Sequence, residues 1–348
     1  AEKFNCTMHS YKLLTFIGLS VLISACGTTP KSNFSIQTNS DKNIISNSET
    51  LSIELLNPNN RDFDSIQLTL DTKKITASVD LSTMPLGEKL IKAKVFYDDT
   101  FEVAVKKVII VNAKAPKIYT YEIVNTYPHD ITSYTQGLEF YKGELYESTG
   151  QYGESKLRKL DFKNGTVLKN VNLSSAYFGE GLSVLNDKIY QLTWKEGRGL
   201  VYDVNRLEQI ETFNYGQSKE GWGLCNDGQK FYKSDGSEFL WFLNPNTLAE
   251  EGSLQAYTNK GKLTNLNELE WVNGKIYANR YQKNGVAIIN PQNGAIEAVI
   301  DFKALKTKVT KHQGLDVLNG MAYNPQTNTL FVTGKRWDKL FEVRIIEN

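Results

Sequence analysis

The sequence predicts an all-β protein: a five-bladed β-propeller over 117–348, preceded by a small immunoglobulin-like β-sandwich over 51–113. Two observations carry this. The last two thirds repeat one short unit five times. A period of about 40–50 residues holding several short strands is the signature of a propeller. Ahead of the repeats, alternating runs of strand-forming residues are cut by turn signals.

The repeat starts are Gln136-Gly137-Leu138, Glu180-Gly181-Leu182, Trp222-Gly223-Leu224, Asn267-Glu268-Leu269 and Asn319-Gly320-Met321, spaced 44, 42, 45 and 52 residues apart. Ten residues after the first four starts comes an aromatic, Tyr146, Tyr190, Tyr232 and Tyr277; in the fifth unit Phe331 follows by twelve. A third strand then runs to a turn, at Asp161–Gly165, Asp203–Leu207, Asn244–Leu248 and Asn290–Gly294. Corresponding positions of propeller blades meet around one channel, so a ring of Gln, Glu, Trp, Asn and Asn is expected at one mouth. The fifth unit ends on its third strand, Leu340–Ile346, and Ile118–Thr126 is a strand without a unit. That orphan is expected to close the ring, because closure protects sheet edges.

The small domain rests on five runs: Leu51–Leu55, Ile66–Leu70, Ile75–Val79, Leu90–Tyr97 and Phe101–Val111. Short strands over this length suggest a sandwich of immunoglobulin-like type. It carries no catalytic constellation and reads as a spacer. Ala113-Lys114-Ala115-Pro116 marks its boundary with the repeats.

The N-terminus reads as a targeting segment. Met8 is the more natural start, Lys12 gives a positive flank, and Leu13–Ile23 has the length of a signal-peptide core. Small residues then lead to a cysteine in Ile23-Ser24-Ala25-Cys26, which resembles a bacterial lipobox. The expectation is a lipoprotein signal over 1–26 with Cys26 as lipid bearer; the alternative is an ordinary signal peptide with an incidental cysteine. Residues 27–50 are rich in Ser, Thr and Asn and read as a flexible tether. A lipid-anchored monomer in a bacterial cell envelope follows, its main domain periplasmic or extracellular.

Composition narrows the chemistry. Net charge is +1 and no basic stripe argues for nucleic acid. The histidines, His9, His129 and His312, are widely spaced, and Cys6, Cys26 and Cys225 form no Cys-x-x-Cys pair, so no zinc motif is visible. Backbone carbonyls in the channel could still take a structural calcium without leaving a motif.

Glu180 lies in Tyr177-Phe178-Gly179-Glu180-Gly181-Leu182. Aromatic surroundings disfavour an ionised carboxyl and suit it to proton shuttling, whereas the plain alternative is a solvated channel carboxylate. Trp194, Trp222, Tyr134, Tyr281 and Trp337 are expected near the same mouth, as a cage for a small ligand or as packing. Gln136 and Asn267 offer amide groups there, and Lys335 a positive charge or merely an exposed turn lysine. Glu268 stands one residue out of register and is expected to face away.

Six motifs resemble the plant-type glutaminyl cyclases: Tyr134-Thr135-Gln136-Gly137-Leu138, Phe178-Gly179-Glu180-Gly181-Leu182, Leu192-Thr193-Trp194, Glu220-Gly221-Trp222-Gly223-Leu224, Leu266-Asn267-Glu268-Leu269-Glu270 and Thr333-Gly334-Lys335-Arg336-Trp337. The likeness runs from about Tyr119 to Ile346. It implies cyclisation of an N-terminal glutamine on peptides or proteins to pyroglutamate with release of ammonia, without a required cofactor. It also implies Glu180 as acid/base and Gln136, Trp194, Trp222, Asn267 and Lys335 as pocket lining. Tyr134 stands where that family usually has phenylalanine and Tyr281 where it has tryptophan; both keep a ring. A non-catalytic, peptide-binding propeller is the competing reading. A glycoside hydrolase is the weaker one, since it wants two carboxylates facing one cleft.

Overall fold

The computed structural model describes residues 33–347. The signal segment and Cys26 lie outside them. Among the described residues no helix is long and apolar enough to cross a membrane. The protein is all-β, with one short helix among the described residues, α1 (Lys303–Lys306).

The N-terminal part contains β1 (Ser35–Thr38), β2 (Ile44–Ser46), β3 (Thr50–Leu56), β4 (Ser65–Leu70), β5 (Lys73–Ile75), β6 (Ser78–Asp80), β7 (Gly87–Tyr97) and β8 (Thr100–Val111). They form two sheets, ordered β1-β3-β6 and β2-β8-β7-β4-β5. Their shared core includes Leu51, Leu81, Leu86, Ile91, Val95 and Val108. Two expectations are corrected here. The described part of the tether is folded: Phe34, Ile36 and Ile45 are buried and β1 and β2 pair with β3 and β8. Those few apolar side chains alternate inward within a Ser- and Asn-rich run, so average composition conceals them. The run Ile75–Val79 is not one strand either; its two ends belong to β5 and β6, in different sheets.

This domain docks firmly on the repeats. Tyr257 and Ala295 of the repeat region belong to its core. The Leu86 N–H donates to Asn293 O at 2.8 Å, and the Asn112 N–H to Thr258 O at 3.2 Å. Gly87, at φ +99°, allows the approach, because a Cβ there would lie 2.6 Å from the Gln255 side chain.

After β9 (Lys117–Pro128) come four antiparallel sets of four strands in sequence order, three as separate sheets and the fourth within an eight-stranded sheet. They are β10 (Thr135–Tyr141), β11 (Glu144–Thr149), β12 (Lys156–Asp161) and β13 (Thr166–Asn172); β14 (Gly179–Leu185), β15 (Lys188–Thr193), β16 (Arg198–Asp203) and β17 (Gln209–Asn214); β18 (Leu224–Asn226), β19 (Phe231–Ser234), β20 (Phe239–Leu243) and β21 (Glu250–Gln255); β22 (Leu266–Val272), β23 (Lys275–Arg280), β24 (Gly285–Ile289) and β25 (Ile296–Asp301). The fifth set is β26 (Leu318–Asn324), β27 (Thr329–Gly334) and β28 (Lys339–Ile346), completed by β9, which pairs antiparallel with β28. β9 also pairs in parallel with β25 over Lys117–Tyr119, which joins the fourth and fifth sets.

The repeat signals find their places. The first strands of successive units touch in a closed cycle, β10 to β14, β18, β22, β26 and back to β10. Tyr146, Tyr190, Tyr232, Tyr277 and Phe331 are buried on the second strands. Asp161, Asp203, Asn244 and Asn290 accept backbone N–H groups two residues on, forming the turns before the fourth strands. Cys225 is a buried free thiol.

Candidate active site

A register irregularity recurs where the first strands begin. It falls between Thr135 and Gly137, Gly179 and Leu182, Leu266 and Leu269, and Leu318 and Met321. Such bulges re-aim side chains at a sheet rim. Here they occur at Gln136, Glu180, Asn267 and Asn319. The glycines that follow let the first strands approach one another. A Cβ on Gly137 would lie 2.6 Å from Leu182 N, and one on Gly181 would lie 2.7 Å from Gly223 Cα. In the first, second and fifth units the start is therefore one residue aimed by a bulge and one residue without a side chain; in the fourth Glu268 takes the glycine's place, and the Trp222 start has the glycine alone.

These starts open on a cavity of about 390 Å³. Glu180, Gln136, Trp222, Asn267, Trp194 and Tyr281 line it together with Tyr134 and Lys335, so all eight expected pocket residues meet. Phe178, Gln151 and Tyr152 complete the wall. Trp194, Tyr281 and Lys335 each follow directly on the end of a second strand, β15, β23 and β27.

Glu180 is buried, and Gln136 Nε2 donates to its Oε1 at 3.1 Å. Burial raises its carboxyl pKa well above the ordinary value; Lys335 opposes that shift, and Glu220 and Glu196 reinforce it. Lys335 is buried too, which lowers its pKa, against the pull of Glu180 and Asp316. Its Nζ lies 4.6 Å from the centre of the Tyr134 ring and 5.2 Å from that of Tyr281. The exposed-lysine alternative is thus overturned. Asn267 Oδ1 is buried and has no hydrogen-bond donor among the described residues.

The rings form a connected wall. Phe178 meets Trp194 edge-on at 5.4 Å, and Trp222 meets Tyr281 at 5.5 Å. Trp194 Nε1 and Trp222 Nε1 both donate to Glu220 Oε2, each at 2.8 Å. Tyr134 donates its hydroxyl to Asp316 Oδ2 at 3.0 Å, and Tyr152 to Glu196 Oε1 at 2.7 Å.

Two expectations are corrected. Asn319 is buried outside the lining; its Nδ2 donates to Thr135 O at 3.0 Å and to Gln136 Oε1 at 3.3 Å, so it supports Gln136 from behind. Trp337 is fully buried in the core and donates to Asp316 O. Glu268 stays out of the cavity lining, as its register predicts, but it is not idle. Its carboxyl accepts the Met321 N–H at 3.1 Å and the Leu138 N–H at 3.5 Å, bridging three units at the centre. Sequence reasoning missed Gln151 and Tyr152, which lie on the β11–β12 connection and outside the repeat pattern. It quoted Glu220 within a motif but gave it no role.

Comparison with known proteins agrees with the motifs. The family model described as glutamine cyclotransferase matches residues 93–345. A glutaminyl-peptide cyclotransferase of Arabidopsis thaliana is 37% identical over 233 residues, 66% of this chain and 72% of that protein. The crystal structure of Myxococcus xanthus glutaminyl cyclase superposes with a TM-score of 0.62 at 35% identity, over 67% of this chain and 99% of that one. The chain belongs to the glutamine cyclotransferase family.

Proposed function

We propose that this chain is a glutaminyl-peptide cyclotransferase with Glu180 as its acid/base. The observation that carries this is a buried carboxyl of raised proton affinity, bonded to Gln136 inside an aromatic-walled cavity of about 390 Å³. The substrate is a peptide or protein with N-terminal glutamine. Its α-amine, with an unperturbed pKa of about 7.7–8.0, supplies a useful neutral fraction near neutral pH.

The amine nitrogen bonds to the side-chain carboxamide carbon and gives its proton to the Glu180 carboxylate. Glu180 then passes that proton to the carboxamide nitrogen, the C–N bond breaks, and ammonia leaves. A carboxyl held above its ordinary range takes the first proton readily and keeps it until the leaving nitrogen needs it. Gln136 Nε2 and Lys335 Nζ are the donors for the developing oxyanion. Asn267 Oδ1, an acceptor with no partner among the described residues, receives the N–H of the attacking amine. Trp194, Trp222, Tyr134 and Tyr281 hold the glutamine side chain folded back on its amine, which lowers the entropic cost of ring closure.

The reaction needs no cofactor. A structural calcium in the channel would take no part in these steps. The five four-stranded units are read as the blades of a propeller and the two small sheets as an immunoglobulin-like domain. The protein is read as a monomer, lipid-anchored through Cys26 in the cell envelope.

The test is incubation of the protein with a Gln-leading peptide, following ammonia loss by mass. Ammonia loss by the wild type and its collapse in Glu180→Gln are expected. Intact peptide after incubation with folded wild type would point instead to a binding protein.

A further inference from the structure

We propose that Glu220, outside the cavity lining, is the positioning residue that fixes both indole walls relative to Glu180, with Lys233 as its buried brace. This rests on the acid/base reading above. Trp194 and Trp222 come from different units, and the Gly221 N–H donates to Trp194 O at 2.9 Å. What joins their rings is one carboxylate oxygen, Glu220 Oε2, which accepts both indole N–H groups at 2.8 Å. An indole N–H at a largely buried wall needs such an acceptor, and the acceptor's position sets the ring's plane.

The brace lies beneath. Lys233 is fully buried, and its Nζ donates to the Glu220 carbonyl at 2.8 Å and to Ser218 Oγ. It lies 3.9 Å from the centre of the Tyr215 ring and 3.8 Å from Glu250 Oε1. The Tyr215 hydroxyl donates to Thr193 O at 2.7 Å and accepts the Thr193 N–H at 2.9 Å, just before Trp194. One lysine therefore supports the chain under both rings. A buried ammonium with no place in the proton transfer has a use if it holds this geometry.

Glu220 also acts on Glu180 by charge. The groups facing Glu180 are the Lys335 cation, the Glu220 and Glu196 carboxylates, and the phenols of Tyr134, Tyr152 and Tyr215. Removing the Glu220 charge lets Lys335 draw the Glu180 pKa downward. A residue that only packed the wall would leave Glu180 where it is.

The experiment compares Glu220→Gln, Glu220→Ala and Glu180→Gln with wild type in steady-state kinetics on one Gln-leading peptide across pH, each checked by thermal melting. Glu220→Gln keeps an acceptor oxygen and loses the charge. It should hold KM within about threefold while the acid limb of kcat/KM moves to lower pH. Glu220→Ala should show the same limb shift and lose roughly 10–10²-fold in kcat/KM, chiefly through KM, the scale expected when a wall is misplaced by about an ångström. An unmoved limb in Glu220→Gln, or an unchanged KM in folded Glu220→Ala, overturns the proposal. Glu180→Gln separates the two claims. Its loss of turnover beside unresponsive Glu220 variants sinks only the Glu220 role. Near-normal turnover in Glu180→Gln sinks the acid/base reading, and the charge coupling with it.

Discussion

Among single residues, the proton affinity of Glu180 depends on the balance between burial and one neighbouring cation. Burial raises it, and Lys335 restrains it. Lys335→Met therefore should move the acid limb of kcat/KM to higher pH, opposite in direction to Glu220→Gln; no movement would mean that the lysine charge does not reach the carboxyl. Trp222→Ala opens the cage and removes one donor from Glu220. It should raise KM roughly 10-fold or more, with a smaller change in kcat, measurable on the same peptide. Gln136, Glu180, Trp222 and Asn267 were legible because each occupies the start of a repeat. Glu268 was legible as lying outside the cavity lining but not as a bridge between units, because its partners Met321 and Leu138 are distant in sequence. Trp337 was misread because Gly334 leaves room for its ring to turn inward; a Cβ on Gly334 would collide with the Trp337 indole.

Among elements, β9 carries the closure. It forms the fourth strand of the last unit along the length of β28 and also pairs with β25. Its role was readable from a simple count, one strand too many before the first repeat and one too few after the last. Deletion through Lys114 leaves β9 in place. It uncovers Tyr257 and Ala295, a loss of about 1.5–3 kcal/mol for the larger side chain, and the ring should still melt cooperatively. Deletion through Thr126 removes the closing strand and should abolish cooperative melting. Equal melting of the two truncations would contradict the closure. The folded stretch at β1 and β2 was not legible, because its stability comes from docking Phe34, Ile36 and Ile45 into a core that distant strands build.

In the whole molecule, buried carboxyls of both kinds set the pH range of stability. Desolvation pushes Glu139 up to about 8 and raises Glu268 and Glu270 well above 4.5. For a group whose pKa is raised on folding, stability is fully present below the unfolded value and falls as pH rises toward the folded one. Glu147 and Glu342 are lowered despite the opposing effect of burial, by His129 and by Asn125 among others, and contribute the reverse, lost as pH falls below 4.5. The melting temperature should peak in mildly acidic solution and decline toward pH 8. Glu268→Gln should flatten that decline; an unchanged slope would show that Glu268 does not titrate with folding. At the cellular scale, Cys26→Ala should release the protein from membranes or block its maturation, and unchanged attachment would refute the lipid anchor.

The most direct measurement is the turnover of Glu180→Gln on a Gln-leading peptide, paired with its binding affinity for the same peptide. The substitution keeps the shape of the side chain and most of its hydrogen bonding while removing the group that shuttles the proton. Turnover should fall roughly 10²–10⁴-fold, the usual range for a lost acid/base, while affinity changes far less because the aromatic wall remains. Near-normal release of ammonia by the folded variant would contradict proton transfer through Glu180.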